Sequence, residues 1–180
     1  MKVLLIAPYL NYQESSEPNK QDREDFLPSA ALLYLAAVLR NMNHEPILLD
    51  FNSAKTHRQA DPCEYCKNKI IETIRDEMPD LVGMNCLFSG LFPTVLDISQ
   101  SIKAFFPEVP IAIGGIHPTT YTKEILSNVK EIDFIVNGEG EKQIVALSDL
   151  IENNDEYKLS EIQSFAYRYR SGEVVVNDRS

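Results

Sequence analysis

Five short apolar runs, separated by helix-forming stretches, constrain this chain more than any other feature. Lys2 to Ala7 (KVLLIA), Glu45 to Phe51 (EPILLDF), Leu81 to Asn85, Val109 to Ile113 and Ile132 to Val136 each have the length of a strand. A run that is apolar throughout, rather than alternating, suits a strand covered on both faces, as in a parallel sheet. Between the runs lie helical stretches. Ala30 to Met42 is dense in Ala and Leu, and the next runs to Met78 with Ile70, Ile71 and Ile74 on one face. Asp61 suits that helix's N-cap, Pro62 its first turn, and Glu64 completes capping-box spacing. Leu91 to Phe106 repeats apolar residues at three- and four-residue intervals. Helices over about Thr120 to Asn128 and from the Gly140 turn to Ile151 complete the series.

Strand and helix alternating in this way give a parallel sheet with helices on both faces. Right-handed crossovers leave few arrangements. The expected class is α/β: a flavodoxin-like (Rossmann-like) three-layer sandwich around a parallel five-stranded sheet of order 2-1-3-4-5. It occupies residues 1–152. Ile162 to Tyr169 and Glu173 to Asn177, joined at Ser171-Gly172, read as a C-terminal β-hairpin. Residues 153–180 are therefore expected to be a hairpin and linker on the domain edge, or against something beyond Ser180. The strand order has its switch point between strands 1 and 3. Ligands are expected over the carboxyl ends, at the loops after residues 7, 85, 113 and 136. Residues 10–27 are polar and mostly acidic, and a loop that long is usually functional or disordered.

Charge excludes some functions. The chain of 180 residues carries a net charge of −10 and a pI of about 4.8, which argues against nucleic acid as the main partner. No stretch is long and apolar enough for a membrane span, and Val3 to Ala7 is too brief for a secretory h-region. Three cysteines do not make a secreted disulfide framework. A cytoplasmic location is expected.

The usual ligands of such a fold can be tested at its loops. A phospho-acceptor domain needs acidic residues after strand 1, an Asp ending strand 3 and a Lys after strand 5. Those places hold Pro8-Tyr9, Asn85-Cys86 and Asn137. Pro8-Tyr9-Leu10-Asn11 offers no hydroxyl-rich phosphate cradle, and no glycine precedes Gly83 to make a dinucleotide fingerprint. The loops offer instead a lack of bulk: Gly114-Gly115 after strand 4 and Gly138-Glu139-Gly140 after strand 5. Such loops let backbone approach a large ligand closely, or else only make tight turns.

The chain resembles the cobalamin-binding domain of radical S-adenosylmethionine enzymes. The likeness runs through MKVLLIAPY, Leu27-Pro28, Leu32 to Arg40, His44-Glu45 and Asp80 to Gly83. It continues through Pro110 to Thr119, Asp133 to Glu141 and the tail from Ile162 to Asn177. Its most specific parts are the double glycine with His-Pro-Thr and the Gly-Glu-Gly-Glu turn. The resemblance implies cobalamin at the strand carboxyl ends, with Asn85, Cys86, Leu87 and Ser89 on one side. Gly114, Gly115, His117 and Gly138 stand on the other, with Pro8, Tyr9, Glu139 and Gly140 in the adjoining loops. It also implies a downstream radical barrel as partner, holding an iron–sulfur cluster and S-adenosylmethionine, in a methyltransferase or a tetrapyrrole oxidative cyclase. No His precedes His44, so the Asp-x-His-x-x-Gly cobalt-ligating motif of the methionine-synthase type is absent and the site is expected to be His-off.

The remaining reactive side chains have plainer readings. His44, at a helix-to-strand turn, is expected to be structural. His117 either touches ligand or caps a turn. Cys63-Glu-Tyr-Cys66, with His57 nearby, lacks the four ligands of structural zinc and the setting of a thioredoxin motif, so it is expected to be chemically idle. Cys86 reads as a small buried filler. No Cys-x-x-x-Cys-x-x-Cys triplet occurs, so this chain alone holds no catalytic centre for reductive cleavage of S-adenosylmethionine. Two alternatives to the cofactor-binding module stay open. One is a cofactor-free docking domain with a filled or closed cleft; the other is a thiol redox protein with a depressed thiol pKa at Cys63.

Overall fold

The structure, a computed structural model, describes residues 1–9, 29–52, 56, 58–169 and 171–178. The long acidic loop and His57 lie outside them. Strands β1 (Lys2–Ala7), β2 (Glu45–Asp50), β3 (Leu81–Asn85), β4 (Ile111–Gly114) and β5 (Phe134–Val136) pair in parallel, in the order expected. Two more strands, β6 (Phe165–Arg168) and β7 (Val174–Val176), extend the sheet antiparallel from β5. The sheet thus has seven strands, ordered β2-β1-β3-β4-β5-β6-β7, rather than five with a separate hairpin.

The hairpin joins the sheet for a physical reason. β5 would otherwise be an edge strand with open N–H and C=O groups. In β6, Phe165 and Tyr167 alternate onto one face and are fully buried, with Phe165 stacked on Phe134 at 5.6 Å between ring centres. Arg168, on the opposite face, donates to the Leu126, Val129 and Ile132 carbonyls at 3.0, 2.8 and 2.6 Å. The hairpin is thereby fastened on both sides.

Helices α1 (Ala30–Asn41) and α6 (Glu141–Glu152) cover one face of the sheet. Helices α2 (Pro62–Glu77), α3 (Phe92–Phe105) and α5 (Thr122–Asn128) cover the other. The core is correspondingly double, with Leu4, Ile6, Val82 and Met84 facing α2 and α3 while Val3, Leu5 and Leu81 face α1 and α6. That alternation is why β1 reads as unbroken apolar sequence. The caps follow the sequence: Asp61 Oδ1 accepts from Glu64 N at 2.9 Å, and Ser29 Oγ from Leu32 N at 3.5 Å. One element was not expected. Ile116–Thr120 forms a short helix, α4, between β4 and α5.

Candidate functional site

Each parallel strand ends at the same edge of the sheet, and a cleft of about 290 Å³ opens there between α1 and α6. The register explains it. Gly83 of β3 is paired with Leu5 of β1 and Ala112 of β4, and the next residues on that face are Asn85, Gly114 and Val136. Glycine and alanine at the sheet's centre leave a depression that larger residues would fill. A Cβ on Gly83 would stand 3.0 Å from Leu5 Cδ2, so a larger residue there would have to displace that side chain. Leu32 and Leu35 of α1 and Ile144 of α6 form the walls.

The loops beyond the strands form the mouth. Gly115, at φ +117°, packs against the Cys86 backbone, and Cys86 N donates to Gly114 O at 2.7 Å. Gly138, at φ +82°, has open space where a Cβ would be. Its N–H donates to Thr119 Oγ1 at 3.1 Å, and the buried Asn137 side chain accepts from Thr122 Oγ1 at 2.8 Å. The glycine loop after β5 is thereby held to α4 and α5, and the one after β4 to Cys86.

Seven of the residues singled out from sequence line this cleft: Asn85, Leu87, Gly114, Gly115, Gly138, Glu139 and Gly140. Five stand elsewhere. Pro8 and Tyr9 are buried, Tyr9 within the α2–α3 side of the core. The Cys86 side chain is fully buried in that same core, with its Sγ 3.8 Å from Phe88 O, and its backbone packs against Gly115. Ser89 and His117 pair with each other, Oγ to Nδ1, at 3.0 Å. The His117 ring lies against Phe92 and Tyr121, with centres 4.6 and 4.9 Å away, and burial lowers its pKa, favouring the neutral form. Gly83, Ala112, Leu5 and Ile144 were missed. A glycine inside an apolar strand can mark close approach, but the pairing of Gly83 with Ala112 is visible only in the register.

The other candidates lie away from this cleft. His44 is buried with Nε2 3.2 Å from Asp149 Oδ1 and Nδ1 3.8 Å from Glu152, so its two nitrogens face different carboxylates on α6. Cys63 sits in the first turn of α2, yet its thiol pKa is raised by burial and by Asp61 and Asp97. Burial pushes Cys66 up to about 12. Neither thiol has the depressed pKa that a redox role requires. A broader groove of about 970 Å³ lies at the opposite, amino-terminal edge near Asp80, Pro110 and Asp133. Its Lys103 is paired with Asp133 at 2.8 Å, and its Arg168 is committed to the carbonyls described above.

The domain is thus doubly wound α/β, with a cleft at the carboxyl edge of its sheet floored by Gly83, Ala112 and Gly114. The chain belongs to the B12 binding domain family, whose profile matches residues 21–148. It is 27% identical over 169 residues to the anaerobic magnesium-protoporphyrin IX monomethyl ester cyclase of a Synechocystis strain, covering 93% of this chain and 31% of that protein. It is 26% identical over 184 residues to the cytidylyl-2-hydroxyethylphosphonate methyltransferase of Streptomyces wedmorensis, covering 97% of this chain and 33% of that one. The cobalamin-dependent S-adenosylmethionine radical enzyme OxsB, solved with aqua-cobalamin and S-adenosylmethionine, shares the fold. Its TM-score is 0.72 at 20% identity, over 99% of this chain and 22% of OxsB. The chain is thus a B12-binding domain homologous to part of much longer enzymes, and the cobalamin-domain resemblance read from its motifs is correct. No helix among the described residues is long and apolar enough to cross a membrane.

Proposed function

We propose that this domain binds cobalamin in the carboxyl-edge cleft, with the nucleotide tail over Gly83, Ala112 and Gly114, as the cofactor module of a radical S-adenosylmethionine enzyme. The observation that carries this is the cleft itself: a trough of about 290 Å³ whose floor is small residues and whose mouth is glycine loops. The open cleft supports cofactor binding over the cofactor-free docking reading, which calls for a filled one. Asn85, at the end of β3, has an amide that can hydrogen-bond a nucleotide group. Gly138, with nothing within 4 Å of its Cβ position, admits a bulky ring system close to backbone.

When bound, the corrin supplies the organometallic chemistry; this chain's residues bind and orient it. The sequence holds no histidine before His44, so strand 1 supplies no imidazole to cobalt, and the reading is His-off. The iron–sulfur cluster, S-adenosylmethionine and the substrate belong to a barrel following residue 180, with 153–180 leading toward it. Methyl transfer and oxidative ring formation are both consistent with the relatives' names. A cytoplasmic setting accords with cofactors of this kind.

Reconstitution with hydroxocobalamin followed by gel filtration tests the reading. A coloured protein carrying about one corrinoid per chain, with raised heat stability, is the expected result. A colourless protein with an unchanged melting temperature would overturn it.

A further inference from the structure

The last turn of α6 meets the α1–β2 turn at a cluster of ligand-type side chains, away from the cleft. We infer that His44, Asp149 and Glu152 form a binding site for a divalent transition-metal ion of the zinc type, independent of the cobalamin reading. One nitrogen or carboxylate oxygen from each of the three lies within 4.8 Å of the others. His44 is fixed from its backbone: Asn43 before it takes φ +63°, and the His44 N–H donates to Leu39 O at 3.0 Å. Its side chain is 1% exposed and is turned onto α6. Asp149 and Glu152, three residues apart on that helix, present half-exposed carboxylates to it.

Two observations point to an ion. First, His44 Nε2 is buried and has no hydrogen-bond partner among the described residues, a costly state for a ring nitrogen. Asp149 Oδ1 stands 3.2 Å from it, near enough for a hydrogen bond but not aligned for one. That spacing suits two ligands of one ion. Metal–ligand bonds of about 2.0–2.2 Å in a tetrahedral shell put neighbouring ligand atoms about 3.3 Å apart.

The second observation is charge. A helix C-terminus is the negative end of its dipole and favours cations, yet the last turn of α6 holds these two carboxylates and no basic residue. The Met1 ammonium offsets one of them, donating to Glu152 Oε1 at 2.8 Å and leaving Oε2 3.8 Å from the His44 ring at Nδ1. Among the described residues no Lys or Arg pairs with Asp149, whose ion-pair partner is His44. An ion between Nε2 and Asp149, with Glu152 as third ligand, supplies the missing positive charge. A mixed nitrogen and oxygen set suits zinc and its first-row neighbours, whereas calcium and magnesium take oxygen ligands.

The experiment is equilibrium dialysis of the cobalamin-free protein against zinc chloride, with bound metal measured by atomic absorption. Uptake of about one zinc per chain is expected, with a melting temperature raised by zinc and restored by a chelator. Asp149→Asn and Glu152→Gln change half-exposed positions and should fold, each binding zinc about tenfold or more weakly. His44→Gln should bind least; should it not fold, the two carboxylate variants decide. Cys63→Ser with Cys66→Ser should bind zinc as the unaltered protein does. No uptake by the unaltered protein would make the cluster a set of ion pairs and overturn the inference. Undiminished uptake in both carboxylate variants, or uptake lost with the cysteines, would overturn it by placing the metal elsewhere.

Discussion

Gly115 is turned toward Cys86 so closely that a Cβ on it would lie 2.5 Å from the Cys86 carbonyl oxygen, at a backbone φ of +117°. The contact joins the loops after β3 and β4, and His117 N reaches the same carbonyl at 3.4 Å. Its neighbour Gly114 is different: a Cβ there would make ordinary contact, 3.7 Å from Val136 Cβ.

The two glycines should therefore respond differently. Gly115→Ala adds both a strained φ and a backbone collision, costing about 2–4 kcal/mol in urea denaturation. Gly114→Ala should cost less than about 1 kcal/mol. Equal losses would mean that the loop relaxes around Gly115 freely.

The Thr122–Asn137 hydrogen bond should hold the glycine loop after β5. Removing the hydroxyl with Thr122→Val leaves the buried Asn137 amide without that partner, at a cost of about 1–3 kcal/mol. In a double-mutant cycle with Asn137→Ala, the two changes should couple by about 1 kcal/mol. Strict additivity would show that the bond does not contribute.

Arg168 pins the hairpin to carbonyls in the last turn of α5 and just after it, and its planar fork suits several acceptors at once. Arg168→Met should destabilise by about 1.5–3 kcal/mol. Arg168→Lys should recover less than half of that loss, because an ammonium cannot span the Leu126, Val129 and Ile132 oxygens together. Full rescue by lysine would show that charge alone is enough.

Stability should vary with pH on two limbs. Burial pushes the Cys66 and Cys86 thiols up to about 12 from a usual 9.0. Between those values the unfolded chain has lost protons that the folded one keeps, so stability falls as pH rises above 9. His117 acts at the other end. Its pKa is lowered from 6.5 by burial, so its contribution is complete above that value and declines as pH falls and the unfolded chain takes up the proton. Urea midpoints should therefore be highest between about pH 7 and 9, and Cys66→Ala with Cys86→Ala should flatten the alkaline limb. An alkaline limb unchanged in that double variant would assign it to other groups.

Much of this was legible in the residues because it is local. β1 and β3 run as read, and α2 starts at Pro62 behind its Asp61 cap, since apolar period and capping depend on neighbours in sequence. Crossover handedness left few orders for the first five strands, and the observed one is the order such five-unit domains most often take. The family resemblance rested on motifs with their own punctuation, Gly-Gly-Ile-His-Pro-Thr and Gly-Glu-Gly-Glu. The helical turn at Ile116–Thr120 was not legible. The helix there was read as starting only at about Thr120, whereas Thr119, Thr120 and Thr122 each return a hydroxyl hydrogen bond to a carbonyl four residues back, beginning at Gly115.

The sequence by itself determined the α/β alternation, the position of the carboxyl-edge loops and the glycines that leave them open. The tertiary structure alone decided that the hairpin completes a seven-stranded sheet, because covering the edge of β5 is a long-range pairing with no local signal. It also decided which loop residues meet. Cys86 turns its side chain into the core, and His117 is held by Ser89 and two rings, because alternation along β3 and packing against α3 set their directions. The cleft floor belongs to the register: Gly83 and Ala112 are 29 residues apart in sequence, and only pairing β3 to β4 puts them side by side beneath one ligand-sized trough.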